Sequence, residues 1–184
     1  MTCLTYYIGV QLLMRNDHIK MTEREHLREL GFVGFKTIRE LMDSCNDIPK
    51  EKGIYVVLRE RDDHPVILEK RPFDCQEYKY PSYSKTELES KWVNGTRIVY
   101  IGKAGGSCLK TGLHKRLSTY IRFGKGKKAA HGGGRSIWQL NDANDLVVCW
   151  KVLSEEEPRN VEESMISDFC LEHEGMRPFA NRRD

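Results

Sequence analysis

The sequence predicts an α+β fold: a small mixed or antiparallel sheet of three short strands, flanked by helices and preceded by a helical N-terminal extension. Short apolar runs at 53–59, 97–102 and 145–153 have strand character, and amphipathic stretches at 110–123 and from Pro158 to Gly175 have helical spacing. Their order, strand, strand, helix, strand, helix, begins with a hairpin-like pair. A chain of 184 residues with 39% hydrophobic and 31% charged content has room for one core and a small appendage, which argues against a two-domain enzyme.

Residues 1–50 read as the N-terminal helical extension, a packing arm or lid for the main domain at 51–184. Met1 to Met14 is apolar but lacks the basic leader and small-residue cleavage site of a signal peptide, and it is too short to span a membrane. Thr22 and Glu25 form a capping box ahead of a short helix carrying Leu27 and Leu30, which Gly31 ends. A second helix is expected over Thr37 to Cys45 with Ile38 and Leu41 inward, and Pro49 closes the extension. Strand Gly53 to Arg59 follows. Residues 60–96 are a long insertion with a short strand at Val66-Ile67-Leu68 and a Ser84/Glu87 cap that starts a helical turn holding Leu88 and Trp92. Asn94-Gly95 is a turn into strand Arg97 to Gly102. A glycine turn leads to the helix from about Lys110 to Phe123, with Leu113, Leu117, Tyr120 and Ile121 on one stripe. After a Gly/Lys loop, Ser136 to Leu140 suggests a helical turn and Asp145 to Leu153 a buried strand. Pro158 suits the first turn of the last helix.

Charge is distributed unevenly. Ten Lys and Arg and no Asp or Glu lie between Arg97 and Arg135, so although the whole chain carries +3, the remainder is near −7. A glycine-rich block of one sign suits a phosphate backbone, whose neutralisation releases counterions; the competing reading is a solvated basic loop. The cysteines, Cys3, Cys45, Cys75, Cys108, Cys149 and Cys170, show no C-x-x-C or Cys/His spacing, which argues against structural zinc. Buried reduced thiols and a cytoplasmic location are the expectation.

Several side chains could carry chemistry. Strand alternation puts Tyr55 on one side with Gly53 and Val57, and Tyr100 with Ile98 and Gly102, so both tyrosines can face one cleft if the strands pair; buried structural tyrosines are the competing reading. Gly102 leads into Lys103 and Gly105-Gly106, where backbone can approach a phosphate, yet no G-x-x-x-x-G-K-[ST] loop can be read through it. Arg116 sits at the margin of its helix's apolar stripe, placed either to reach a cleft or to snorkel. Glu162 falls near the middle of the stripe Val161, Met165, Ile166 and Phe169, a costly place for a carboxylate without a partner or a metal. His131-Gly132-Gly133-Gly134 is like an esterase oxyanion loop, but no G-x-S-x-G elbow accompanies it. In Tyr78-Lys79-Tyr80-Pro81-Ser82-Tyr83 aromatic and basic residues interleave, as in strands of protein that stack on bases and equally in ordinary surface loops.

Gly53-Ile54-Tyr55 and Tyr100-Ile101-Gly102, in this order on two strands with an arginine-bearing helix behind the second, resemble the signature of the GIY-YIG nuclease family. An earlier string, Tyr7-Ile8-Gly9, precedes the GIY and has no such helix, and is a coincidence. The resemblance covers about residues 51 to 184 and implies a three-stranded, mainly antiparallel sheet flanked by helices. It implies a metal-dependent endonuclease that hydrolyses DNA phosphodiester bonds with Mg2+ (or Mn2+), acting on double-stranded DNA, with a homodimer left open. Residue by residue it makes Tyr55, Tyr100, Lys103, Arg116, Tyr120 and Glu162 catalytic, with Glu162 the metal ligand in a Glu-x-x-Met-Ile context where the family has Leu for Met165. Asn181 stands where the family has an asparagine near metal and phosphate. Lys115, Arg122, Lys125, Lys127, Lys128 and Arg135 would contact DNA. A tyrosine can help deprotonate the attacking water only if cations such as Lys103 and Arg116 lower its pKa. The long span between the tripeptides departs from the family pattern and resembles its restriction-enzyme branch. A catalytically silent nucleic-acid-binding module of the same fold is the alternative.

Overall fold

A computed structural model describes residues 22–73, 79–106, 111–129 and 133–182. Tyr7-Ile8-Gly9, Cys3, Cys75, Tyr78, Cys108, Lys110 and His131-Gly132 lie outside the described residues.

The class is α+β, and the sheet has four strands, all paired antiparallel, in the order β1-β4-β2-β3. Strand β2 (Gly53–Leu58) is central between β3 (Ile98–Ala104) and β4 (Val147–Val152). The fourth strand corrects the expectation of three. It is β1 (Val33–Thr37), inside the stretch read as purely helical, and it pairs with β4. Its alternation is broken by a bulge between Val33 and Lys36, where Gly34 and Phe35 both take positive φ and the Gly34 backbone presses on the Trp150 ring. Val66 to Leu68 is not a strand; Ile67 makes one isolated bridge to Leu140.

The helices follow their sequence signals. In α1 (Glu23–Glu29) and α2 (Ile38–Asp43), Thr22 with Glu25 and Thr37 with Glu40 form complete capping boxes. Helix α3 (Lys85–Glu89) is capped by Ser84 alone. Helix α4 (Leu113–Gly124) starts three residues later than expected, with its first N–H groups bonded to the carbonyls of Glu51 and Pro49. A 3-10 turn covers Arg135–Gln139, and α5 (Pro158–Glu172) has proline in its first turn.

Every residue of β2 is buried, so each of its faces floors a separate core layer. Tyr55 and Val57 pack with Tyr100, Leu113, Leu117, Tyr120 and Trp138, while Ile54, Val56 and Leu58 pack with Leu27, Phe32, Cys149 and Ile166. Helix α4 therefore lies on one face and α5 on the other. Gly53 permits the first of these contacts, because a methyl group there would stand 2.6 Å from Leu113 and 2.2 Å from the Lys151 carbonyl.

Two further devices hold the site. The chain end covers the free edge of β3: Ala180 N–H donates to the Val99 carbonyl at 2.8 Å, and the Asn181 amide both accepts from Ile101 N–H (2.8 Å) and donates to its carbonyl (2.7 Å). The insertion is anchored by Arg59, which is buried, ion-paired to Asp142 at 2.7 Å and stacked toward Trp92, and by Gln139, whose side chain bonds Tyr83 N–H and the carbonyls of Leu68 and Tyr83.

Candidate active site

Pairing of β2 with β3 sets Tyr55 opposite Gly102 and Tyr100 opposite Val57, which puts both tyrosines on the α4 face. Their rings meet edge to face with centroids 5.8 Å apart, and Tyr120 of α4 extends the row at 6.4 Å from Tyr100. Gly102 is the floor under Tyr55: a Cβ there would fall 2.5 Å from the ring. The glycine of the YIG tripeptide is thus a packing requirement of the GIY tyrosine.

Arg116 comes from the margin of the α4 stripe and reaches into this cluster. Its Nε is buried and unpartnered, and the Tyr55 hydroxyl, also enclosed, makes no regular hydrogen bond. A methyl group on Gly133 would stand 2.9 Å from the Tyr100 hydroxyl and 3.6 Å from Arg116 Nη2, so the Gly133–Gly134 backbone lies against both. Tyr120 spends its hydroxyl on the Gly134 carbonyl at 2.8 Å and so pins that backbone.

Burial pushes the Tyr55, Tyr100 and Tyr120 phenols up, outweighing the downward pull of the Arg116 charge. The condition for a tyrosine to act as base, a pKa lowered by nearby cations, is therefore not met. Lys103 does not offset the burial, because it leaves β3 three residues after Tyr100, on the opposite face of the sheet. Burial also opposes the charge on Arg116, but Tyr55, Tyr100 and Glu162 around it hold its proton more firmly than usual.

On that opposite face the Lys103 ammonium is ion-paired with Glu162 of α5, whose side chain is 14% exposed. The carboxylate is therefore half-enclosed at a rim, not central in a sealed stripe, and its partner is a lysine. The Glu162 charge is the smallest of the influences that raise the Tyr55 phenol and hold the Arg116 proton. It also borders an open groove of about 620 Å3 lined by Ile166, Ser167, Cys170 and Arg177. The neighbouring Glu163 is exposed and paired with Arg159.

Comparison with family models, curated proteins and solved structures found no match.

Among the described residues no three His, Cys, Asp or Glu side chains cluster, so a cation at Glu162 would draw the rest of its shell from water and substrate oxygens. A rim carboxylate whose present counter-charge is a half-exposed lysine ammonium fits that role. Lys115, Arg122, Lys125, Lys127 and Lys128 are exposed on or just after α4, and Arg135 is half-buried beyond them. Asn181 is not on this surface: it is buried, and its amide is consumed by Ile101. Sequence reasoning missed the face of Lys103, although the odd spacing from Tyr100 carried it, and missed Gly133–Gly134 as the wall over Tyr100.

Proposed function

We propose that this chain is a metal-dependent endonuclease of GIY-YIG type that hydrolyses phosphodiester bonds in double-stranded DNA, in a restriction or defence role. One observation carries the reading: Arg116, a half-buried guanidinium whose enclosed Nε has no partner, stands against two tyrosines and near a rim carboxylate. A half-buried cation with a spare donor suits an anion, and Lys115, Arg122, Lys125, Lys127 and Lys128, exposed on the same helix and just after it, add phosphate-binding charge.

Arg116 would donate to the non-bridging oxygens of the scissile phosphate and offset the charge of the five-coordinate transition state. The phenols, neutral and with pKa values pushed further up by burial, would orient the phosphate and the attacking water by hydrogen bonds, with Tyr100 the less enclosed of the pair. A divalent cation held at Glu162 would supply Lewis-acid stabilisation of the phosphate and the leaving oxygen. Lys103, once released from Glu162, would add its ammonium to the same phosphate. Tyr120 would act through the backbone of Gly134, which it fixes.

A second reading, a catalytically silent nucleic-acid-binding module, is favoured by the full enclosure of Tyr55 and by Lys103 already neutralising Glu162. Incubating the purified chain with supercoiled plasmid separates the two. The nuclease yields nicked or linear plasmid only when Mg2+ is present. Retarded but intact supercoils would instead establish the binder.

A further inference from the structure

The Gly133–Gly134 backbone that lies against Tyr100 and Arg116 also lines a small cavity of about 20 Å3, closed by Tyr83, Arg135, Ser136, Ala180 and Arg182. Three of these residues carry buried polar atoms without a partner: Arg135 Nε, Ser136 Oγ and Arg182 Nη1. Ser136 is only 1% exposed. Orphaned buried donors are costly and uncommon, and three on the residues that line one cavity mark a place for an acceptor. Two guanidinium charges make that acceptor an anion.

The cavity is held in shape by the insertion. Arg135 and Arg182 both stack on the Tyr83 ring, 4.7 and 3.8 Å from its centroid, and Tyr83 is fixed by its N–H to Gln139. Glu87 of α3 holds the other amino group of Arg182. One carboxylate against two arginines leaves the cavity positive. Its volume admits a single water-sized atom, which is the size of one phosphate oxygen.

We infer that this cavity is an anion subsite for a non-bridging oxygen of the phosphodiester next to the one cut, so that the insertion serves to build a second phosphate contact beside Arg116. The identity of the anion as a nucleic-acid phosphate rests on the nuclease reading; the subsite itself does not.

The test has two arms. Inorganic phosphate is titrated at constant ionic strength into the full chain while the arginine Nε–H signals are followed by NMR. The Arg135 signal should shift saturably in the wild type and respond several-fold more weakly in Ser136→Ala; no saturable shift, as for a cavity that holds only water, overturns the subsite. In the second arm, binding of a fluorescein-labelled DNA duplex is followed by anisotropy across a salt series. Arg182→Gln should weaken binding about tenfold and lower the log–log salt slope by about 1. Unchanged affinity and slope in Arg182→Gln, with wild type binding normally, removes the flanking-phosphate role. A phosphate response in wild type without DNA binding keeps the subsite and removes the nuclease reading.

Discussion

Tyr55 and Tyr100 keep their protons beyond the ordinary phenol range because enclosure between β2, β3 and α4 disfavours a phenolate more than Arg116 favours it. The consequence for stability has a definite sign. An unfolded tyrosine ionises near its ordinary value of 10.0, while the folded one stays protonated, so the native state holds more protons above that pH. Stability is therefore complete below about pH 10 and falls as pH rises from there toward the raised native values. Tyr55→Phe, which deletes a buried hydroxyl that makes no regular hydrogen bond, should change stability by less than about 1 kcal/mol at pH 7 and lose less than wild type between pH 9 and pH 11. Urea unfolding at a series of pH values measures both. Tyr55, Tyr100, Arg116 and Glu162 could be named from the sequence because motif order and stripe position fix them. Lys103 and Asn181 could be named but not placed. The partner of Lys103 depends on which face α5 covers, and the partner of Asn181 on where the chain end returns.

Strand β3 carries the YIG tripeptide along the open edge of the sheet, and its position depends on what covers that edge. Asn181→Ala removes two hydrogen bonds to Ile101 and leaves its backbone groups short of partners. The cost should be about 1–3 kcal/mol in urea unfolding, with faster amide exchange at Ile101. Gly102→Ala drives a methyl group into the Tyr55 and Tyr100 rings and should cost about 1–3 kcal/mol. A loss of near-ultraviolet circular dichroism from the tyrosines would accompany it. Helices α1 and α5 were legible through a capping box and a first-turn proline, and α2 through the spacing of Ile38 and Leu41, all local signals. Strand β1 was not, because a bulge at Gly34 and Phe35 destroys the period-two pattern that marks a strand, and its pairing with β4 joins residues more than 100 apart in sequence.

The two core layers on β2 put the arginine-bearing helix and the glutamate-bearing helix on opposite faces of the sheet, and Lys103 of the acid-free stretch pairs with Glu162 on the second. The acid-free stretch supplies α4 and the loop after it, on one face of the sheet, whereas Glu162 belongs to α5 on the other. The fold class followed from composition and element order; the seat of Tyr55 over Gly102 did not, since it depends on the register of β2 against β3. Exposed lysines on the α4 side give a DNA complex a steep salt dependence. Replacing Lys127 and Lys128 together with Gln should weaken duplex binding uniformly across sequences and lower the log–log salt slope by roughly 2, measured by anisotropy. The most direct measurement of the central claim is plasmid nicking in Mg2+ by Glu162→Gln beside wild type, with the two matched in thermal unfolding. Wild type should convert supercoiled plasmid to nicked or linear forms while Glu162→Gln binds the plasmid and leaves it intact. Nicking by Glu162→Gln at the wild-type rate would contradict the account.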